Sequence, residues 1–229
     1  MPSAIAENLH AIREKIATAA QRAKRDPGEI TLVAVSKTFP AEAVHQAVSA
    51  GITHFGENRV QEAESKFVQI NTTLHLIGHL QSNKARRAAE IFNRIDSVDN
   101  LSIARKLNDA AKNRIGILIE VHQGEAAKSG APEPDIPSLA REILNLPNLN
   151  LLGLMAIPPY FENPDLTRPY FKRLKSLHDE VAAALDKSLP ILSMGMSHDF
   201  EIAIEEGATE IRIGTALFGL RNTWRSEIP

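Results

Sequence analysis

Several places in this sequence combine residue types that could do chemistry together. Lys37 ends the apolar run Val33-Ala34-Val35, and strand alternation puts it on the same side as Val33 and Val35. Where that side is poorly solvated, burial favours a neutral amine over an ammonium, and a neutral primary amine attacks carbonyls to form a Schiff base. The plainer alternative is a strand-end lysine whose ammonium snorkels to solvent. Arg212 stands between Ile211 and Ile213. Alternation turns it away from both isoleucines, and its guanidinium then needs an acceptor, either a structural carboxylate or the ring nitrogen or phosphate of a bound ligand. Gly195-Met196-Ser197 and Gly214-Thr215 join glycines to hydroxyls and N–H groups at the entry to helices, which suits a phosphate. Turn glycines with capping Ser and Thr would explain each segment taken singly.

These residues act together only if the elements that carry them converge. Strand-like runs recur at Leu32–Val35, Thr53–Phe55, Leu74–Ile77, Arg94–Ser97, Ile115–Val121, Leu151–Leu154, Ile191–Ser193 and Glu210–Ile213. Helical patterns alternate with them at Ala41–Ala50, Val60–Gln69, Lys84–Phe92, Leu101–Lys112, Ile136–Leu144, Leu166–Leu185 and Phe200–Glu206. Such alternation indicates parallel strands joined by crossover helices. Eight units in 229 residues fit an α/β fold of one (β/α)8 TIM barrel, a fold of typically about 250 residues. An open doubly wound sheet is the rival. Ile5, Leu9, Ile12 and Ile16 predict an extra N-terminal helix, ended by Asp26-Pro27-Gly28. One domain over residues 1–229 is expected, because no room remains for a second. In a barrel every segment just after a strand lies on one face. That face gathers Lys37, Gly56-Glu57-Asn58-Arg59, Gly78-His79, Ser97-Val98-Asp99, His122-Gln123-Gly124-Glu125, Met155-Ala156-Ile157-Pro158, Ser197 and Gly214-Thr215. The longer loops His122–Asp135 and Ile157–Thr167 stand where barrel enzymes keep lids.

Composition narrows the function. With 26 basic against 28 acidic residues, no strong field points to nucleic acid or a membrane surface, and a small molecule is the expected partner. The absence of cysteine removes disulfides and thiolate chemistry and agrees with a reducing, cytoplasmic location. Met1–Arg25 contains no signal-peptide core, and no apolar run reaches the roughly 20 residues of a membrane-spanning helix. His75 and His79 are four apart but fall on strand and turn, so they do not share a face as metal ligands and no metal is expected. Ser82–Arg87 is basic without aromatics and reads as a solvated helix start. No dinucleotide, P-loop or zinc-protease motif occurs. With no exposed apolar heptad or sheet edge, a monomer is expected.

Six ordered segments resemble the pyridoxal phosphate homeostasis proteins, whose barrel is similar to the N-terminal domain of alanine racemase. They are Ala34–Thr38, Phe55–Glu62, Ile77–Lys84, Gly153–Ile157, Leu192–Ser197 and Ile211–Gly219, and the likeness spans nearly the whole chain. It implies pyridoxal 5'-phosphate (PLP) held as a Schiff base on Lys37. By the same likeness Arg212 faces the pyridine nitrogen, Ser197, Gly214 and Thr215 hold the phosphate, and Asn58 and His79 form pocket wall near the ring. The chain departs from the family at His122, where Asn often stands. The resemblance implies a carrier or regulator of vitamin B6 and amino- and keto-acid pools, without established catalysis and with no catalytic residue assigned. It leaves room for transient contact with apo forms of PLP enzymes. An amino-acid racemase or decarboxylase of low activity is the alternative, although two-base racemisation needs a group on each face of the ring and the only tyrosines, Tyr160 and Tyr170, supply no obvious second base. A cofactor-free barrel aldolase using Lys37 is the third reading.

Overall fold

The computed structural model describes residues 3–67, 70–124 and 129–219. The helical spacing of Ile5, Leu9, Ile12 and Ile16 yields helix α1 (Ala4–Arg22), which buries those side chains with Ala19 and Ala20 and is capped by the Ser3 side chain. Asp26-Pro27-Gly28 then stops it, Asp26 Oδ1 accepting from the Gly28 N–H at 2.8 Å. Short branched runs follow as β1 (Thr31–Val35), β2 (His54–Glu57), β3 (Thr73–Leu76), β4 (Arg94–Val98), β5 (Ile115–Val121), β6 (Leu149–Ala156), β7 (Ile191–Met196) and β8 (Glu210–Ile213). Each pairs in parallel with the next, and β8 returns to β1, so the sheet closes into a barrel. This excludes the open sheet.

The connecting helices are α2 (Ala41–Ser49), α3 (Val60–Lys66), α4 (Ala85–Ile91), α5 (Leu101–Ala110), α6 (Ile136–Leu144), α7 (Arg168–Leu185) and α8 (Phe200–Glu205), followed by the single turn α9 (Thr215–Phe218). Beyond one-residue differences at several ends, three differ from the sequence expectation, α5 ending at Ala110 rather than Lys112. Helix α3 ends at Lys66, and Gln69, its expected end, lies outside the described residues. Helix α7 starts at Arg168 because Pro164–Thr167 forms a separate 3-10 turn, with Asn163 capping the Asp165 N–H. The additional helix α1 lies over the last unit of the barrel. Asn8 Nδ2 donates to the Leu217 carbonyl at 3.0 Å, and Arg25 Nη1 donates to the Ile204 and Ala208 carbonyls at 2.8 Å each. No helix among the described residues is long and apolar enough to cross a membrane.

Alternation along the strands separates two buried regions. Ala34, Ile117, Ile119, Ile211 and Ile213 belong to the apolar layer under the helices. The side chains between them fill the barrel, and near the strands' N-terminal ends that filling is polar. Arg94 Nε and Nη2 donate to Asp96 at 2.5 and 2.8 Å, and Nη2 also reaches Glu210 Oε2 at 2.5 Å and His75 Nδ1 at 2.7 Å. His75, Asp96 and Glu210 present atoms close enough together to ligate a cation, and the Arg94 guanidinium supplies the positive charge among them. Burial by itself would raise the Asp96 carboxyl, but Arg94 overrides it and holds the group well below the usual carboxylate range.

Candidate functional site

All seven residues singled out from the sequence, Lys37, Asn58, His79, Ser197, Arg212, Gly214 and Thr215, line one cavity of about 700 Å³ at the C-terminal ends of the strands. Catalytic and ligand sites of barrels occupy this end because the strand-to-helix loops converge there.

Lys37 follows β1 directly and is half-buried. The next residue, Thr38, has φ 68°, a left-handed conformation that is costly for a β-branched side chain and must be held from outside. The holding groups come from β2 and α3. Glu62 Oε1 accepts from the Thr38 N–H, and Lys66 Nζ donates to the Ser36 carbonyl at 2.7 Å, to Glu62 Oε1 at 2.5 Å and to Glu57 Oε1 at 3.1 Å. Ser36 Oγ closes the network on Glu57 Oε1 at 2.7 Å. The peptide groups before and after Lys37 are therefore both anchored to one buried ion cluster. Burial pushes the Glu57 carboxyl up. Burial acts the same way on Glu62, but the bonds from Lys66 and from the Thr38 N–H outweigh it and bring that carboxyl below its ordinary value.

Arg212 points into the barrel, 3% exposed. Its partners are the Ser193 hydroxyl at 2.7 Å and the Ala156 carbonyl at 2.9 Å. The structural carboxylate that the sequence allowed is not its partner, since no ion pair of Arg212 occurs among the described residues. Burial lowers its pKa, while the more distant carboxylates of Glu210, Asp96, Asp199 and Glu120 act in the opposite sense. Two neutral acceptors leave part of a five-donor guanidinium available to an occupant of the cavity.

Loops seven and eight meet through Ser197, whose Oγ accepts from the N–H groups of Gly214 at 3.2 Å and Ala216 at 3.3 Å. These N–H groups, expected to be open, thus converge on one oxygen acceptor. Gly195 has φ 90°, and a Cβ there would stand 2.5 Å from the Ala203 Cβ. The pairing of β7 with β8 also shifts between Ser193 and Met196, an irregularity of the kind that re-aims a strand end. Asp199 fastens the turn by accepting from the Met196 N–H at 2.7 Å. Gly78 matters for space: a Cβ would come within 2.5 Å of the Asn58 carbonyl, so glycine lets the second and third loops close on each other.

His79 stands at the mouth, more than half exposed, with Nδ1 3.4 Å from Asp99 Oδ2. His75 sits in the polar layer with Arg94, as a strand position separate from the turn of His79 requires. His122 does not line the cavity, whereas its neighbour Gln123 does; Glu125 lies outside the described residues. The sequence reading set Gln123 on this face without giving it a role and passed over Glu120, Ser129, Tyr160 and His198 as site residues, all of which line the cavity. For Glu120 the signal was present, as a lone charge in the apolar run of β5 on the inward side with Leu118. Tyr160 carried none, because it reaches the cavity only through the path of loop six, where its ring lies 5.4 Å from that of His198. Loop six is fastened by His198 Nε2, 3.1 Å from the carbonyls of Phe161 and Glu162.

This arrangement agrees with what known proteins show. Residues 8–222 match the family of the alanine racemase N-terminal domain. A pyridoxal phosphate homeostasis protein of Aquifex aeolicus is 44% identical over 94% of this chain and 97% of its own. One of Pseudomonas aeruginosa is 45% identical over 96% and 97%. Among solved structures, PipY of Synechococcus elongatus with PLP bound is 37% identical, covers 94% of this chain and 100% of its own, and superposes with a TM-score of 0.83. The closed barrel, its one-sided cavity and these near-full-length likenesses together show that the chain belongs to the alanine racemase N-terminal domain family, alongside members named pyridoxal phosphate homeostasis protein.

Proposed function

We propose that this protein binds PLP, holds it as a Schiff base on Lys37, and serves as a carrier and regulator of the cofactor rather than as an enzyme. The observation that carries the reading is the convergence on one cavity of an anchored lysine, a buried arginine whose partners among the described residues are neutral, and a hydroxyl that joins loops seven and eight. These groups fit PLP. Lys37 would supply the amine, Arg212 would meet the pyridine nitrogen, and the hydroxyls of Ser197 and Thr215 beside Gly214 would hold the phosphate, with Asn58 and His79 as walls. When bound, the cofactor supplies an aldehyde and an electron-withdrawing ring. Joining it to Lys37 would replace the aldehyde C=O by a C=N bond, the carbonyl oxygen leaving as water with the two amine hydrogens. Arg212 gives up a proton only at great cost, so it keeps the facing nitrogen unprotonated and restrains carbanion chemistry. The role is that of one barrel domain over residues 1–229, working as a cytoplasmic monomer that meets apo forms of PLP enzymes transiently. The relatives' names and the PLP bound to PipY support the PLP-binding and homeostatic part of this reading.

The test is an absorbance spectrum of the purified protein with added PLP, then borohydride reduction and peptide mass spectrometry. A visible band and a pyridoxyl adduct on Lys37, both lost in Lys37→Ala, are expected. A protein that stays colourless would overturn the reading. The position of Tyr160 on the cavity wall favours a second reading, a racemase of low activity, in which its hydroxyl acts opposite Lys37. Turnover of amino acids that disappears in both Tyr160→Phe and Lys37→Ala would establish it in place of the carrier.

A further inference from the structure

The cavity wall formed by β5 and the loop after it has the opposite polarity to the wall formed by β7 and β8. On the β7 and β8 side the polar groups that face the cavity can donate, through the Arg212 guanidinium and the Ser197 and Thr215 hydroxyls, the Gly214 N–H being taken up by Ser197 Oγ. On the β5 side they accept. Glu120 and Gln123 both line the cavity and are 4% exposed. Ser129 Oγ donates to Glu120 Oε1 at 2.7 Å, and Oε2 has no partner among the described residues. Gln123 Nε2 donates to the Tyr170 carbonyl at 3.0 Å, which settles the orientation of the amide and leaves Oε1, also without a partner among the described residues. Two buried acceptors on one wall are costly to leave unsatisfied, and native structures rarely do so without a ligand or water to complete them.

A primary ammonium completes them best. It carries three donors and no acceptor of its own, so it adds no lone pair to a wall already rich in oxygen. Its charge also suits a carboxyl that burial pushes above its ordinary value, because a cation at contact distance restores the ionised form and makes the bond charge-assisted. A hydroxyl would satisfy one oxygen and bring no charge.

We infer that the β5 wall is a subsite for a primary ammonium, with Glu120 Oε2 and Gln123 Oε1 as its acceptors, so that the cavity takes a ligand with a phosphate at one end and an amine at the other. The phosphorylated amine of the pyridoxal series, pyridoxamine 5'-phosphate, is such a ligand. The inference rests on the PLP reading of the cavity and adds an amine-bearing ligand to the aldehyde that Lys37 captures.

Calorimetric titration of the PLP-stripped full chain with pyridoxamine 5'-phosphate and with pyridoxine 5'-phosphate isolates the amine, since the two differ in having an ammonium or a hydroxyl on the same carbon. Wild type is expected to prefer the amine by about tenfold, the size of one charge-assisted hydrogen bond. Glu120→Gln and Gln123→Leu, checked for folding by thermal unfolding, are each expected to shrink that preference. Equal affinities in wild type, or a preference untouched by both variants, would overturn the subsite. If PLP still loads onto Lys37, the failure belongs to the subsite alone; if none of the three compounds binds, the PLP reading falls with it.

Discussion

Gly195 decides where the Ser197 hydroxyl stands. Its left-handed backbone and the nearness of Ala203 leave no room for a side chain, so Gly195→Ala must move either the turn or helix α8. Forcing a non-glycine residue into such a conformation costs about 1–3 kcal/mol. Urea unfolding should report a loss of that size, and the affinity for PLP should fall as well, because Ser197 no longer meets Gly214 and Ala216. Wild-type stability and affinity in this variant would mean that the turn is adaptable and that Ser197 is not positioned through it. Arg212 argues at the same scale. A mid-strand arginine between isoleucines was legible as an inward charge, but its partners were not, since Ser193 and Ala156 lie on strands whose neighbourhood appears only once the barrel has closed.

At the scale of elements, the link between the first two βα units supports Lys37. Helix α3 contributes Glu62 and Lys66, β2 contributes Glu57, and together they hold the peptide groups on both sides of the lysine. Glu62→Ala removes the acceptor of the Thr38 N–H. It is expected to cost about 1 kcal/mol of stability and to slow PLP uptake, measured by stopped-flow absorbance. Glu62→Gln, which keeps a carbonyl oxygen at that position, should recover most of the uptake rate. If both variants lose stability equally while loading PLP at the wild-type rate, the network supports folding only. None of this was visible in the order of residues. The segment Phe55–Glu62 was recognisable as a motif, yet only the packing of α3 against β1 and β2 shows why a buried lysine follows four residues after Glu62.

For the molecule as a whole, the polar filling at the other end of the barrel sets the dependence on pH. Asp96 is held below its ordinary value by Arg94, so in the window below the unfolded value, about 3.9, the unfolded chain binds more protons. The stabilisation from Asp96 is thus complete above that pH and is lost as the pH falls toward the folded value. Arg94→Met leaves two buried carboxylates without their cation, and it should cost about 3–5 kcal/mol at pH 7. The loss should shrink toward pH 5, where protonation relieves the unpaired buried charge on Asp96. Urea unfolding at the two pH values checks this, and a loss that grows on acidification would contradict it.

The sequence by itself determined the alternation of strand and helix, the inward side of Lys37 and Arg212, and the face on which the site lies. These follow from periods of two and 3.6 residues and from the rule that every loop after a barrel strand shares one end. Ser129, Tyr160 and His198 joined the site only in three dimensions. Closure of the barrel sets β5 across from β1 and loop six beside loop seven, and contacts between residues far apart in the chain depend on strand register and loop path, which local pattern does not encode.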